Sequence, residues 1–401
     1  MSINTNPEKI KELLERGVEE VIDKSHLETA LKSGKKLRIY YGIDPTGSNI
    51  HIGHAIVLWK LRAFQELGHE VILLIGDFTA RIGDPTDKEA ARQPLTKKQV
   101  EENMRNYKEQ ASLILDFKKT KLKYNSEWLS KLNFEKILEL ASHISVQRML
   151  ERDMFEKRLK DGKTISLHEF LYPLMQGYDS VAMNVDVEIA GNDQLFNMLT
   201  GRDLQKIYNK KDKAILTSQL LLGTDGRKMS KTFGNTIPIA IKPNDMFGKV
   251  MSIKDELIGG YFELCTQMPM EEVNQIKQDL QNQSTNPRDL KVKLAFEIVR
   301  QYHGEKKAKE AEEEFEKVHQ RGELPNEITE WKATKGEYNI LDLLFETGLT
   351  ASKGEAKRMI LGKAVEINGQ TKNDWQEIIK IENGIIIQVG KRKFLKILPK
   401  N

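Results

Sequence analysis

The stretch Arg38–His54, RIYYGIDPTGSNIHIGH, limits the possible folds of this chain more than any other. Arg38–Ile43 mixes apolar, aromatic and β-branched side chains and reads as a buried strand. Asp44-Pro45-Thr46-Gly47 supplies a turn, because proline fixes φ and glycine accepts positive φ. Ser48 and Asn49 lead into Ile56, Leu58, Trp59, Leu61 and Phe64, an apolar-periodic run that predicts a helix up to Gly68. His51 and His54 sit at i and i+3 in its first turn and share a face. A strand, a tight turn and a helix N-terminus make a place for an anion, since free N–H groups and the positive dipole end converge there. Two histidines without a nearby carboxylate or third histidine fall short of the usual zinc sets, so no metal is expected and phosphate is the better partner.

A chain of 401 residues is long enough for two or three domains. Cys265 is its only cysteine, which excludes an internal disulfide or a thiolate zinc cluster and suits a reducing cytosol. No apolar run approaches a membrane span, and the polar start MSINTNPEKI is unlike a secretory signal, so a cytoplasmic protein with no membrane partner is expected. Charge is unevenly placed. Tyr338–Asn401 holds 11 Lys or Arg against 7 Asp or Glu, an excess equal to the +4 of the whole chain. A neutral body with a basic tail suggests a polyanion for the tail.

Residues 7–34 read as one or two amphipathic helices. His69–Phe78 is a second apolar strand, and the capping-box pattern Thr96–Gln99 opens a helix to about Leu115. A short strand is expected near Lys121–Tyr124. Ser166–Met183 is a helix candidate, with Leu167, Phe170, Leu171 and Leu174 on one stripe. Val185–Ile189 and Ala214–Leu222 are further strands, and Leu195–Tyr208 is helical. Strands alternating with helices predict an α/β fold with a mostly parallel sheet covered on both faces. After Gly223 the run TDGRKMSKTFGN has no apolar period and reads as a loop. Residues 244–320 are helical and strongly charged, 321–337 read as a linker, and a small α+β unit begins at Tyr338.

Lysines 228 and 231, in Lys228-Met229-Ser230-Lys231-Thr232, could by themselves be a solvated turn. Coupled to the HIGH tetrapeptide at the start of the sheet, and placed after its last strand, they make the chain resemble a class I aminoacyl-tRNA synthetase. The intervening pieces IGDFTARIGDPTDKEAARQPLT, SLHEFLYPLMQGYDS and AGNDQLFN resemble the bacterial-type tyrosyl-tRNA synthetases over nearly the whole length. The resemblance implies a Rossmann-like catalytic domain at 1–225 with a helical insertion at about 125–165, and a mobile KMSKT loop at 226–243. It also implies a helical anticodon-arm domain at 244–320, a linker at 321–337 and an S4-like RNA-binding domain at 338–401. Family members are homodimers, with the insertion at the interface.

The same resemblance implies roles for individual side chains. Tyr40 and Asp179 should bond the phenol hydroxyl of L-tyrosine; a buried pair built for a hydroxyl is left unpaired by phenylalanine. Asp84, Tyr172 and Gln176 should hold the substrate ammonium, with Thr79 nearby. Tyr172, Gln176 and Asp179 stand at i, i+4 and i+7, so one helix face presents all three, and a Gln and an Asp are poor core residues. Asp44 is expected against the aminoacyl-adenylate and Gln194 near the activated carboxyl. Asp193 and His54 are expected at the ribose, with Gly191 allowing close approach, and Thr46 and His51 at the terminal phosphates. Gly53 and Met229 complete the ATP set. Lys88, Arg92, Lys228 and Lys231 are the cations for phosphate charge, and Thr232 orders the second loop. ATP enters as a substrate with Mg2+ on its phosphates, and no tightly bound cofactor is implied. Asp87 stands where the family usually has glycine, and Ala190 and Asn192 replace residues that are more often Gly and Ser or Thr.

The resemblance implies tRNA(Tyr) as the partner of the basic tail. Ser352–Glu355 is a capping box, and the helix after it turns Ala356, Met359 and Ile360 inward and Lys353, Lys357 and Arg358 outward. Lys391, Arg392 and Lys393 add charge at the end, where phosphate contacts and shape reading suit structured RNA. Three other readings stay open on sequence alone: a tryptophanyl-type synthetase, another HIGH-type nucleotidyltransferase, and an RNA-binding protein derived from a synthetase.

Overall fold

The structure is a computed structural model, and it describes residues 3–85, 94–230, 233–320, 324, 328–382, 384–390 and 393–399. The chain divides into two compact units, Met1–Glu305 and Lys306–Asn401. Among the described residues no helix is long and apolar enough to cross a membrane.

The first unit is built on a six-stranded sheet of β1 (Val18–Ile22), β2 (Arg38–Ile43), β3 (Glu70–Ile75), β4 (Thr120–Tyr124), β5 (Val187–Gly191) and β6 (Ala214–Ser218), in the order β1-β6-β5-β2-β3-β4. All pairs are parallel except β1 with β6. β2 and β3 are buried almost throughout because helices cover both faces, which is why they read as continuous apolar runs. Helix α1 (Ile52–Glu66) buries Ile52, Ala55, Ile56, Leu58, Leu61 and Phe64. Helices α2 (Leu167–Met183) and α3 (Leu195–Asn209) cross closely at two glycines. A Cβ built on Gly177 would stand 3.1 Å from the Gly201 Cα and 2.9 Å from Leu204 Cδ1.

Strand order reverses at β2, whose successors lead one way through β3 and β4 and the other way through β5 and β6. An open α/β sheet binds ligands at such a point, beyond the carboxyl ends of the strands. The β2–β5 ladder holds only Ile39 with Val187 and Tyr40 with Glu188, although β2 runs on to Ile43 and β5 to Gly191. The two strands part there and open a crevice.

Several expectations are corrected. Val18–Ile22, inside the stretch expected to be wholly helical, is strand β1, because its backbone completes the ladder along β6. The helix expected from Thr96 to Leu115 is two, Lys97–Met104 and Tyr107–Ala111. Leu167, placed on an apolar stripe, is 78% exposed because it is the first residue of its helix, whereas Leu174 on the same stripe is buried with Phe170 and Leu171 half-buried against its cluster. The helices Pro243–Met251, Ile258–Cys265, Met270–Gln281 and Pro287–His303 lie in the same compact unit as the sheet. Arg16 donates to the carbonyls of Glu263, Thr266 and Met268 around the end of the second of them, at 2.7–3.0 Å.

The second unit holds a five-stranded sheet and a two-stranded one. Its strands are β7 (Thr329–Lys332), β8 (Glu337–Asn339), β9 (Val365–Ile367), β10 (Gln370–Thr371), β11 (Ile378–Lys380), β12 (Ile385–Val389) and β13 (Lys393–Leu398). The larger sheet runs β10-β9-β12-β13-β7, and β8 pairs with β11. β7 falls in the stretch read as a linker and pairs in parallel with β13. A core of its own, including Ile340, Leu343, Leu344, Ala356, Ile360, Val365, Ile387 and Ile397, packs two short helices against these strands.

Candidate active site

A cavity of about 310 Å³ occupies the crevice between β2 and β5. Its walls come from the ends of β2 and β5, the turn after β3, the first turns of α1, the inner face of α2 and the segment Lys228–Met229. All the described candidates for tyrosine and ATP line it: Tyr40, Asp44, Thr46, His51, Gly53, His54, Thr79, Asp84, Tyr172, Gln176, Asp179, Gly191, Asp193, Gln194, Lys228 and Met229. Lys88, Arg92, Asp87, Lys231 and Thr232 lie outside the described residues.

At the deep end Tyr40 and Asp179 are both buried. The Tyr40 hydroxyl lies 3.0 Å from Ser180 Oγ. Asp179 accepts from Trp128 Nε1 at 2.7 Å and from Asn125 Nδ2 at 3.3 Å. Burial pushes the Asp179 carboxyl well above its ordinary range, while the Trp128 and Asn125 donors pull it back. Burial likewise raises the Tyr40 hydroxyl far above its usual value, with Glu188 and Asp179 adding to it, so Tyr40 stays a neutral phenol. Asn125 and Trp128 follow the carboxyl end of β4, and no apolar period marks them in the sequence.

In the middle of the cavity Asp44 accepts from Thr79 Oγ1 at 2.7 Å and from the Tyr172 hydroxyl at 2.9 Å. Asn125 also donates to Thr79 at 2.9 Å. Gly76 leaves room for this: a Cβ there would stand 1.9 Å from Asp44 Oδ1. Gln194 donates to Asp84 at 2.7 Å, and Asn197 donates to both Gln176 and Gln194 at 2.9 Å. Arg152, 6% exposed, brings its guanidinium to 3.9 Å from Asp84. It comes from the helical insertion and was not legible as a site residue.

At the outer end the two sequence signatures meet. The Ile52 N–H donates to the Ile237 carbonyl at 2.9 Å and the Ile239 N–H to the Ile50 carbonyl at 3.0 Å. The later part of the KMSKT loop is thereby stitched to the start of α1. The rings of His51 and His54 stack with centroids 3.8 Å apart, and His54 Nδ1 accepts from the His51 N–H at 3.3 Å. Lys228 Nζ lies 3.0 Å from Asp193 Oδ2. Burial, then Asp84, pushes Asp193 up to about 6, and a backbone hydrogen bond pulls the other way. The described wall is rich in carboxylates: Asp44, Asp84, Asp179, Glu188 and Asp193. That field suits an ammonium inside and leaves phosphate charge to the rim. Among the described residues no group of three or more His, Cys, Asp or Glu is placed to hold a metal ion.

In the second unit Lys353, Lys357 and Arg358 are exposed on the helix Lys353–Leu361. Lys353 pairs with Asp342 at 2.6 Å, and Lys357 lies 3.9 Å over the Trp375 ring. Lys393 is exposed and donates to the Leu349 carbonyl at 2.6 Å; Lys391 and Arg392 lie outside the described residues.

Comparison with known proteins agrees with this geometry. Residues 32–320 match the family model of class I tRNA synthetases (W and Y), and 321–397 match a tyrosine–tRNA ligase C-terminal domain model. The chain is 49% identical over 398 residues to a tyrosine–tRNA ligase of Carboxydothermus hydrogenoformans, covering 96% of this chain and 97% of that one. It is 46% identical to that of Thermotoga maritima, covering 98% of each. Among solved structures, a C-terminally truncated mitochondrial tyrosyl-tRNA synthetase of Aspergillus nidulans superposes with a TM-score of 0.65 at 24% identity. That match covers 77% of this chain and 94% of the other and bears on the fold. A cavity at the sheet's switch point, the two signatures joined above it and near-complete coverage by these relatives place the chain in the tyrosine–tRNA ligase family of class I synthetases.

Proposed function

We propose that the protein activates L-tyrosine with ATP and transfers the tyrosyl group to the 3′ end of tRNA(Tyr). The observation that carries this is the polar deep end of the cavity, where Tyr40 and Asp179 stand on the walls of a pocket whose middle is lined by carboxylates. A substrate with an ammonium at one end and a hydroxyl at the other fits that distribution. Asp84, Tyr172 and Gln176 hold the ammonium, and Tyr40 and Asp179 read the hydroxyl. The substrate carboxylate then faces the mouth.

No covalent enzyme intermediate and no strong base is needed. The carboxylate is already ionised and attacks the α-phosphorus of ATP in line. A carboxyl oxygen–phosphorus bond forms, the bond to the bridging oxygen breaks, and the negative charge leaves on pyrophosphate with its magnesium. A hydroxyl of the terminal tRNA ribose then attacks the tyrosyl carbonyl, forming an ester; the carbonyl carbon–oxygen bond to the phosphate breaks, and AMP departs taking up the hydroxyl proton. The protein contributes position and charge. His51 and Thr46 sit at the phosphates and His54 and Asp193 at the ribose, Asp44 faces the adenylate, and Gln194 its carboxyl. Lys228, with Lys88, Arg92, Lys231 and Thr232, serves the growing phosphate charge.

The basic helix of the second unit, with Lys353, Lys357, Arg358 and the end at Lys391–Lys393, contacts the tRNA backbone in this reading. The protein works as a homodimer through the insertion around 125–165. Phe134, Leu138, Val146 and Leu159 there are large, apolar and more than half exposed, which favours a covered face. Sedimentation should give a dimer, and Phe134→Glu should shift it toward monomer; a monomeric parent protein would refute this part. The enzyme belongs in the cytoplasm, with its tRNA.

Exchange of labelled pyrophosphate into ATP, run separately with tyrosine, phenylalanine and tryptophan, tests the core claim. Tyrosine alone should support exchange. Exchange with tryptophan would reassign the pocket, and none with any amino acid would sink the activation chemistry.

A further inference from the structure

Behind Tyr40 lies a lysine that the reading above does not use. Lys213 immediately precedes β6, and its side chain is fully buried beside Glu188, which is 3% exposed. The ammonium occupies the space where α2 and α3 cross: a Cβ on Gly201 would stand 2.7 Å from Nζ and 3.1 Å from Ser180 Oγ. A buried ion pair adds little net stability, so what matters here is where its protons point.

The ammonium donates to Glu188 and, at 2.6 Å, to Ser180 Oγ. Ser180 has one proton of its own to give. Glu188 Oε2 lies 3.4 Å away and already accepts from Lys213, whereas the Tyr40 oxygen lies at 3.0 Å. The nearer, less satisfied acceptor takes it, and the adjoining ammonium makes Ser180 a stronger donor. With its oxygen accepting from Ser180, Tyr40 is left to donate; Glu188 also stands within reach of that proton, and a phenol oxygen bound in the cavity that Tyr40 lines competes for it.

We propose that Lys213 and Ser180 fix Tyr40 as a hydrogen-bond donor toward the substrate's phenol oxygen, and so act as positioning residues for tyrosine over phenylalanine. Glu188 neutralises Lys213 and also accepts from Gln176 at 3.3 Å, which ties the relay to the ammonium end. The phenol then receives one proton from Tyr40 and gives its own to Asp179. The inference rests on Tyr40 reading the phenol hydroxyl.

The test uses the full-length protein and pyrophosphate exchange with tyrosine and with phenylalanine. Ser180→Ala, the smallest change, should raise the KM for tyrosine about three- to tenfold, the worth of one hydrogen bond, and leave the KM values for phenylalanine and ATP within about twofold. The double variant Lys213→Met/Glu188→Gln, which strands no charge, should lower the tyrosine-to-phenylalanine preference by a similar factor, since any loss at the ammonium end is shared by both amino acids. Neither should add to the loss already caused by Tyr40→Phe. If Tyr40→Phe lowers the preference for tyrosine but Ser180→Ala and the double variant do not, the relay is overturned and the phenol reading stands. Equal losses for both amino acids would mean a merely structural role and also overturn it. No effect of Tyr40→Phe on the tyrosine-to-phenylalanine ratio would remove the premise itself.

Discussion

Asp179 is held by two donors from outside its own helix, Trp128 and Asn125, and the first is the shorter bond. Trp128→Phe keeps the ring and removes the N–H. It should raise the KM for tyrosine about three- to tenfold while sparing that for ATP; an unchanged KM would show that Asp179 needs no such support. His69 carries a different kind of prediction. It is buried, accepts from the Leu37 N–H at 3.3 Å, and burial lowers it from 6.5 to about 4. The unfolded chain therefore binds a proton that the native one refuses. The resulting stability is complete above about pH 6.5 and drains away as pH falls toward 4, on the order of 1 kcal/mol with screening allowed for. His69→Gln, which can still accept from Leu37, should flatten that acid limb in thermal melts; an unaltered limb would place the titration elsewhere. At this scale, residues on a periodic element were readable. Tyr172, Gln176 and Asp179 announced themselves by spacing on α2. Asn125, Trp128, Arg152 and Lys213 did not, because a loop or an insertion carries no period and their meaning lies in partners far along the chain.

The crossing of α2 and α3 is the element on which the deep end of the site depends. Gly201→Ala would gain helix propensity, yet its methyl would press on the Lys213 ammonium and on Gly177. Overpacking of that kind costs about 1–3 kcal/mol, so the urea midpoint should fall despite the propensity gain. A raised midpoint would mean that the crossing yields easily. Elements were legible where burial left a strong pattern, as in β2, β3 and α1. β1 was missed because VEEVI mixes charge with apolar residues, and a strand at the sheet edge is held by its backbone ladder to β6 more than by burial. β7 was missed likewise: its four residues lie in a stretch that looked like a linker, and only pairing with β13 defines them.

Over the whole molecule, the second unit has a core contained within residues 331–397. A compact unit with its own core folds without its neighbour. A chain ending at residue 320 should therefore retain tyrosine-dependent pyrophosphate exchange and lose most tRNA charging. Loss of exchange would show that activation needs the tail, and full charging would free the tail of any tRNA role. The charge map sets the tail apart from the body, since the whole net excess lies within Tyr338–Asn401.

The pairing of β1 with β6 joins residues 18–22 to residues 214–218. During synthesis the first strand leaves the ribosome with its ladder unfilled and waits for nearly two hundred residues, a separation on the order of the longest contacts that slow folding. The same late segment leads straight into Lys228 and the stitch between Ile237 and Ile52. Edge closure and site closure are thus one late event in the life of the nascent chain. A polypeptide released early would display an open strand edge and lack the lysine at residue 228 on the cavity wall, so an unfinished copy carries both an exposed edge for chaperones or proteases to find and an incomplete cavity.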